Sequence, residues 1–357
     1  MPLLVDLVIA VHDARRPIAR AVRSALLAGL GPDALRVTVV CHNIEREAIA
    51  GALGTELADA VRLLELRDGI RSPAGPFNFG LDHATARFVS IMGSDDMLEP
   101  DALAAWAAFA ERNELAAVIP VERHAGGRLI RTPPVRPRRS APLDPVRDRL
   151  AYRTAPLGLI DLTLLQRLGA RMAEGVATGE DQDFSARIWF SGARLGYARG
   201  LPAYLVGADA AERTTFAHRG VADEFQASLA LVREPWFAEL PLAARRALAV
   251  KLTRVHVFSF LDRRLAAGDW AAADGAELSG VIGAFEAAAP GFAGGLSRAD
   301  AHVLAALGET SASLEGLRAL AAARRRFGAP ATVLPARRGA LLAPDAPPRF
   351  MAASALL

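Results

Sequence analysis

The sequence predicts an α/β protein with a mostly parallel sheet flanked by helices, followed by an all-helical region. Strand-like apolar runs alternate with amphipathic helical segments through residues 1–125, the order that builds parallel sheets. From residue 222 onward the pattern is helical. We therefore expect a sheet domain at 1–215, a helical domain at 216–330 and a loosely held Pro- and Ala-rich tail at 331–357.

The first strand shows how the sheet is predicted. Val5–Val11 is a nearly continuous apolar run, as expected of a strand buried on both faces. Asp13 and Pro17 favour the start of a helix, and Gly29 favours its end. The same reasoning predicts further strands at Val37–Val40, Val61–Leu66, Phe88–Met92 and Ala116–Val121, and helices at Ile49–Leu57, Asn78–Ala86 and Pro100–Asn113.

The regular alternation breaks at Gly126, and the Pro- and Arg-rich segment Arg131–Pro145 predicts an irregular loop. Beyond it, we expect a helix at Gln182–Ser191 and strands at Arg194–Ala198 and Ala203–Val206. The C-terminal helices are predicted at Glu224–Val232, Leu242–Leu265, Trp270–Ala288, Arg298–Leu307 and Leu314–Arg325.

Composition excludes several classes of protein. The 357 residues are 52% hydrophobic, yet no apolar stretch reaches the ~18–20 residues of a spanning helix. A net charge of +3 is too small to create the strong positive potential that nucleic-acid-binding proteins use. The single cysteine, Cys41, excludes an internal disulfide and fits the reducing cytoplasm. The apolar N-terminus contains Asp6, which favours a core strand over a signal peptide.

The first strand-to-helix turn reads His12-Asp13-Ala14-Arg15. It contains neither the glycine pattern of a dinucleotide-binding site nor that of a P-loop. A phosphate ligand would then need another partner, most simply a metal ion.

The sharpest local signal follows the fourth predicted strand, where the sequence reads MGSDDMLEP from Met92 to Pro100. The strand runs directly into Asp95 and Asp96, and ligands of open α/β sheets bind at the carboxyl ends of strands. Two carboxylates there suit Mg²⁺ or Mn²⁺ holding a diphosphate. The alternative is that both acids only cap the next helix.

A second acidic pair, Glu180 and Asp181, again precedes a predicted helix. One of these acids is a candidate general base if it faces the same crevice. The alternative is that both are carboxylates that favour a helix N-terminus.

Together these motifs resemble the family 2 glycosyltransferases, which have the GT-A fold. They correspond to the family's first strand, its Asn-x-Gly-Leu segment, its acidic metal motif and its Glu-Asp base motif. Four segments carry the resemblance, in the family's order and approximate spacing: Val8–Asp13, Asn78–Ala84, Met92–Pro100 and Glu180–Arg187. The resemblance covers residues 4–215 and leaves out the C-terminal helices.

The resemblance implies an inverting, metal-dependent glycosyltransferase that moves a sugar from a nucleotide-diphosphate donor to a hydroxyl acceptor. It implies that Asp95, with Asp96 beside it, holds Mg²⁺ or Mn²⁺, which neutralises the leaving diphosphate. Asp181 is then the general base, and Glu180 orients the acceptor or the base. The donor-binding positions implied are Ala10, His12, Asp13, Asn78, Ser94 and Asp95.

Two residues after the last predicted strand are further candidates. Arg213 suits a bidentate phosphate contact, and His218 suits a metal ligand. The alternative is an exposed loop in an arginine-rich protein.

The sequence departs from the family at three places. Cys41-His42-Asn43 stands where the family has an acidic turn that contacts the nucleobase, so we expect His42 or Asn43 to replace it through hydrogen bonds. Gly93 replaces the leading Asp of the metal motif, and Phe77 replaces an Arg. The Gln-x-x-Arg-Trp motif of processive synthases is absent, which argues against a cellulose- or chitin-type enzyme.

Two other functions stay open: a catalytically inactive GT-A-like binding module and, with a poorer match, a nucleotidyltransferase. The expected acceptor is a glycan or lipid-linked saccharide, and the expected location is the cytoplasm or the inner face of the membrane. The basic residues of 128–139 and the helix Leu242–Leu265 are candidates for peripheral membrane contact. The C-terminal helices are candidates for a homodimer interface.

Overall fold

The computed structural model describes residues 3–207, 219–309 and 313–357. A seven-stranded sheet has the order β10-β6-β9-β4-β1-β2-β3. All its pairings are parallel except those of β9, which runs antiparallel to β4 and β6. Its strands are β1 Val5–Val11, β2 Leu35–His42, β3 Arg62–Leu66, β4 Phe88–Gly93, β6 Ala117–Ile119, β9 Leu159–Asp161 and β10 Leu195–Tyr197.

A second, four-stranded sheet has the order β5-β11-β7-β8. Its short strands are β5 Met97–Leu98, β7 Glu122–His124, β8 Leu129–Ile130 and β11 Tyr204–Val206. The sequence pattern does not predict this sheet, because two of its strands are only two residues long. Pairing of Leu98 with Tyr204 brings the segment after β4 against β11.

The helices of the sheet domain lie on both faces of the main sheet. Leu7 and Ile9 of β1 belong to one hydrophobic core and Val8 to the other, which confirms that this strand is buried on both sides. The helices are α1 Ile18–Leu26, α2 Arg46–Leu53, α3 Thr55–Asp59, α4 Ala74–Asp82, α5 Ala102–Asn113, α6 Leu162–Leu168 and α7 Gln182–Trp189.

Helix α4 begins four residues earlier than predicted, at Ala74. It approaches β1 so closely that a Cβ atom on Gly80 would lie 2.3 Å from Val8 Cγ1. The glycine is therefore required for the contact between helix and sheet.

The region after residue 219 is helical, as predicted, with its own core built around phenylalanines such as Phe225, Phe258 and Phe285. The predicted helix Leu242–Leu265 is a continuous helical run that contains a π-helical segment at Leu252–Val257. The helices are α8 Val221–Arg233, α9 Pro235–Glu239, α10 Leu242–Lys251, α11 Phe258–Ala267, α12 Ala272–Ala288, α13 Arg298–Gly308 and α14 Leu314–Arg324.

The expectation of a loose tail is wrong. The last residues form α15 Pro330–Val333, a 3₁₀ turn at Arg338–Ala340 and α16 Pro347–Ala355. Arg131 of the sheet domain donates to the Ser354 carbonyl at 3.0 Å. Arg149 likewise donates to the Pro344 carbonyl at 2.8 Å, so side chains of the sheet domain hold the tail through its backbone.

The segment 131–145 contains no helix or strand, as predicted. Within the described residues, no helix combines the length and apolar character needed to cross a membrane.

Candidate active site

The carboxyl ends of β1, β2 and β4 lie at one edge of the main sheet, because Ala10 pairs with Gly93 and Val11 with Cys41. Side chains that follow these strands are therefore neighbours. Desolvation and the Arg16 cation lower the pKa of His12, and the charges of His42 and Asp95 also act on it. Three sequence-predicted residues thus meet at this edge: His12, His42 and Asp95.

The turn after β2 is built on a residue that sequence reasoning did not identify, Asp68. His42 Nε2 lies 2.8 Å from Asp68 Oδ1, and the Asn43 amide donates to the same oxygen at 3.0 Å. Asn43 Oδ1 accepts from the Asp68 and Gly69 N–H groups. Asn43 has a φ of 56°, a conformation that Asn tolerates well.

Burial raises the pKa of Asp68, but hydrogen bonds from the Ile70 N–H, His42 and Asn43 outweigh it and hold that pKa below its usual value. An anionic carboxylate therefore stands at the place where the family's acidic turn would lie. The sequence feature that could have identified Asp68 is its position, since it follows the third predicted strand in the turn-like sequence LRDG.

The two adjacent acids after β4 have different environments. Asp96 accepts from the Tyr204 hydroxyl at 2.6 Å and from the Gly207 N–H at 2.8 Å, one bond on each oxygen. Burial raises the pKa of Asp96. Each Asp96 oxygen thus already accepts one hydrogen bond and keeps a further lone pair, so metal binding by Asp96 stays a prediction.

Asp95 is the more available carboxylate. Its Oδ1 lies 3.1 Å from an Arg16 guanidinium nitrogen, and Arg20 donates to its backbone carbonyl at 2.9 Å. Its side chain is 17% exposed, whereas its neighbour Ser94 is buried. Asp95 therefore lies beside two cations, Arg16 in the turn before α1 and Arg20 in α1.

The glycine that departs from the family motif has a steric cause. A Cβ atom on Gly93 would lie 2.7 Å from Asp96 Oδ2 and 3.3 Å from Asp95 Oδ1. The Gly93 N–H also donates to the Tyr204 hydroxyl at 3.2 Å. An aspartate at position 93 would displace the hydrogen-bonded arrangement of Asp96.

Asn78, predicted to bind the donor, is buried and stabilises the fold. Its Oδ1 accepts from the Met172 N–H at 2.9 Å and its Nδ2 donates to the Met172 carbonyl at 3.0 Å. Nδ2 also donates to Glu174 at 2.7 Å. The structure thus places Asn78 as a link between α4 and the segment after α6.

Asp13, the other predicted donor residue in the first turn, accepts from the Arg15 N–H at 2.9 Å and pairs with the Arg15 side chain. These bonds hold the pKa of Asp13 at about 2. Arg213 and His218 lie outside the described residues.

Asp181 directly precedes α7, and its side chain makes no capping hydrogen bond. The alternative suggested by the sequence, a carboxylate whose charge favours a helix N-terminus, needs no such bond and is not tested by its absence. Burial and the negative charge of Glu180 raise the pKa of Asp181 to about 6, and the Lys251 cation opposes this shift. The Glu180 carbonyl accepts from the Ala173 N–H at 2.8 Å, which fixes the loop before the helix.

No group of three or more His, Cys, Asp or Glu side chains within 3–207, 219–309 and 313–357 has an arrangement that would hold a metal ion. Mg²⁺ is commonly bound by one or two carboxylates plus substrate phosphates. Asp95 fits as such a carboxylate ligand, and a role for Asp96 beside it stays a prediction.

Comparisons with known proteins add to this geometry. No protein-family model matches the sequence, and no curated protein matches it. Among solved structures, S. aureus TarS 1–349 in complex with UDP-GlcNAc matches with a TM-score of 0.72 and 16% identity, over 91% of this chain and 92% of that chain. TarS is a family 2 glycosyltransferase with the GT-A fold. The chain has the GT-A fold.

The similarity extends beyond the segments that the sequence matched. The complex of TarS 1–349 with UDP gives a TM-score of 0.71 with the same coverage, and a longer TarS structure gives 0.68 over 90% of this chain and 55% of that chain. Coverage of about nine-tenths includes most of the helical domain, which lies outside the resemblance seen in the sequence. Most of the C-terminal helices that follow the GT-A domain therefore also have counterparts in the TarS structures.

Proposed function

We propose that the protein is an inverting glycosyltransferase that moves a sugar from a nucleotide-diphosphate donor to a hydroxyl acceptor. The observation that carries this proposal is the environment of Asp181 in a GT-A fold. Its side chain makes no capping hydrogen bond at the start of α7, and its pKa is about 6. A general base works best when its pKa lies near the working pH. The structure of TarS with UDP-GlcNAc supports the donor class.

The donor would bind along the strand edge that carries His12, His42 and Asp95. The anionic Asp68, oriented by His42 and Asn43, supplies hydrogen-bond acceptors for a nucleobase. Arg16, just before α1, and Arg20 within it supply positive charge near Asp95 for a diphosphate. Ala10, Asp13 and Ser94 frame the same edge.

Asp95 is the residue that would hold Mg²⁺ or Mn²⁺, and His218 remains a second proposed ligand. A bound divalent ion would neutralise charge on the leaving diphosphate. Arg213 is proposed to contact the same diphosphate.

Asp181 would accept the proton of the acceptor hydroxyl as its oxygen attacks the anomeric carbon opposite the leaving group, which inverts that carbon. Glu180 would orient the acceptor, and its charge helps to raise the pKa of Asp181. Because the base must be ionised, we expect the turnover rate to rise with pH through about 6 and then reach a plateau.

Asp181→Asn tests the proposal. The variant keeps size and hydrogen bonding but cannot accept a proton, so turnover should fall by on the order of 10²–10⁴ while donor affinity holds. The measurement is sugar transfer alongside donor binding. A matched control is Asp183→Asn, because Asp183 lies on the same helix but bonds to Arg187 and Trp236.

If Asp181→Asn transferred sugar near the wild-type rate, the proposal that Asp181 is the general base would be contradicted. Normal donor binding by a wild type that transfers no sugar would favour the second candidate, a sugar-nucleotide- or glycan-binding module. The ion pair between Arg16 and Asp95 is the observation that favours this module, because it engages the carboxylate that a catalytic metal would need.

The acceptor is proposed to be a glycan or lipid-linked saccharide, met in the cytoplasm or at the inner face of the membrane. Peripheral membrane contact through the basic segment 128–139 stays a proposal, as does a homodimer formed by the C-terminal helices. Several arginines of that segment are already bonded within the chain, such as Arg136, whose guanidinium makes two 2.7 Å bonds to Asp148.

A further inference from the structure

The only lysine in the chain, Lys251, is buried at the end of α10, with 3% of its surface exposed. Its Nζ lies 3.0 Å from His256 Nε2. An ammonium group only donates hydrogen bonds, so His256 Nε2 is the acceptor. Burial and the Lys251 and Arg263 cations hold the pKa of His256 well below its usual value, so its imidazole is neutral.

A local distortion of the helix creates this pair. Residues five apart on an α-helix point about 140° away from each other. The π-helical segment Leu252–Val257 begins directly after Lys251 and contains His256. In a π-turn, which closes i to i+5 hydrogen bonds, residues five apart come closer to the same side of the helix, and such turns are frequent at functional sites. The helix therefore departs from regular geometry at the point where it orients the buried ammonium.

Lys251 faces the start of α7. It lines a cavity of about 10 Å³, roughly the space of one water molecule, together with Gln182 and Ser185. Gln182 is the residue that follows Asp181, and it is held by the Ser228 hydroxyl at 2.8 Å. The helical domain thus brings a cation against the helix terminus that carries the proposed base.

The two charges act on each other. Lys251 lowers the pKa of Asp181, and Asp181 raises that of Lys251, which burial otherwise lowers to about 8. The other charged groups around the pair are Glu180, beside the base, and Arg263, which acts on His256. The buried Arg153 lines the same cavity. Among the described residues, Lys251 is the cation whose charge lowers the pKa of Asp181.

We propose that Lys251 is a positioning residue for the general base: its ammonium group, oriented by His256, keeps Asp181 ionised at neutral pH. The inference rests on the proposed function, in which Asp181 accepts the proton of the acceptor hydroxyl. Burial and Glu180 both favour the protonated carboxyl, which cannot act as a base. Lys251 opposes them from the helical domain, which gives that domain a role in the chemistry of the sheet domain.

The first test compares the pH dependence of sugar transfer in the wild type, Lys251→Met and Lys251→Arg. Removal of the cation should move the acid limb of the profile upward from about 6 by roughly 1 unit or more. At pH 7 this corresponds to a loss of about two- to tenfold that disappears at high pH. Lys251→Arg keeps the charge and should keep the limb near the wild-type position.

The matched control is Arg246→Met, which removes a cation from the same helix that bonds to the Pro290 carbonyl instead. It should leave the acid limb unchanged. Coincident profiles of the wild type and Lys251→Met would overturn the proposal.

A second measurement needs no enzymatic activity. Protein labelled with ¹³Cε-lysine gives one side-chain NMR signal, because the chain contains one lysine. In Asp181→Asn the titration midpoint of this signal should fall below the wild-type value of about 8, since the anion that stabilises the ammonium is gone. Identical midpoints would overturn the pairing. A wild type without transfer activity would contradict the proposed function and leave this test decisive for the pair.

Discussion

Two adjacent carboxylates have different surroundings, which divide the pair into an enclosed carboxylate and a more accessible one. Asp96 is enclosed by Tyr204 and Gly207, whereas Asp95 pairs with Arg16, just before α1. Sequence reasoning identified the pair but not its division. That division depends on Tyr204, which lies 108 residues further along the chain and which no local pattern connects to the motif.

This division gives a prediction for Asp95 and Asp96. Asp95→Ala should abolish Mn²⁺-dependent binding of a nucleoside diphosphate and leave the fold intact, as measured by calorimetry with and without EDTA. Tyr204→Phe should instead cost about 1–3 kcal/mol of stability, because it leaves a buried carboxylate oxygen without its donor. Metal-independent binding in the wild type, or unchanged binding by Asp95→Ala, would contradict the metal assignment.

The His42 side chain gives a second prediction at this scale. His42→Ala removes the 2.8 Å contact that orients Asp68, so the ranking of UDP, GDP and dTDP in binding assays should change. Arg87→Ala is a suitable control, because Arg87 is exposed and pairs with Glu111 far from this turn. An equal loss for all three nucleotides would reject a nucleobase contact by this turn.

At the scale of elements, Asn78 links helix α4 to the loop that leads to the proposed base. Both backbone groups of Met172 are bonded to its amide, and the next residue, Ala173, donates to the Glu180 carbonyl. The sequence resemblance suggested donor binding for Asn78. The structure shows an amide whose hydrogen bonds position an acidic segment about a hundred residues away.

Asn78→Ala should therefore cost about 2 kcal/mol or more, because two buried backbone groups lose their partners. Turnover should also fall, because the segment before α7 loosens. The readouts are the urea unfolding midpoint and sugar transfer. Asn113→Ala removes a single amide bond to the Phe109 carbonyl at the end of α5 and should cost well under half as much. Equal costs for both variants would argue against this link.

Elements with strong periodicity could be predicted, and elements made by distant pairing could not. The buried strands β1, β2 and β4 have continuous apolar runs, so the sequence indicated them directly. The antiparallel strand β9 and the short strands β5, β7 and β8 depend on partners elsewhere in the chain, whereas β11 lies within the predicted strand Ala203–Val206. The π-helical segment also escaped prediction, because its residues have ordinary helical periodicity.

At the scale of the whole molecule, the GT-A fold was predictable because four motifs occur in a fixed order, and the helical region because its pattern is helical from residue 222 onward. The packing of the tail was not, because it depends on residues distant in sequence, such as Arg131, Arg149 and Tyr152. The division at 215 and 330 stays a prediction.

The tail connects both domains, and this gives the last prediction. Phe350 of α16 packs against Tyr152 at 4.8 Å between ring centroids, and Arg254 of the helical domain lies 5.1 Å from the same ring. Arg254 also donates to the Tyr152 hydroxyl at 3.0 Å and to the Asp345 carbonyl at 2.7 Å. One aromatic side chain of the tail therefore contacts residues from both domains.

Phe350→Ala removes an aromatic contact and a cation–π contact, which together stabilise the fold by roughly 1–3 kcal/mol. At about 2.1 cal/mol/K of unfolding entropy per residue, each 1 kcal/mol lowers the melting temperature of this 357-residue chain by about 1–2 °C. Leu342→Ala is the matched control on the same segment, because Leu342 is 78% exposed and should change little. Calorimetry of the two variants tests this prediction. A lower melting temperature for Phe350→Ala alone would identify the tail as part of the folded unit. Equal melting temperatures would mean that the Phe350 contacts do not stabilise the association of the domains.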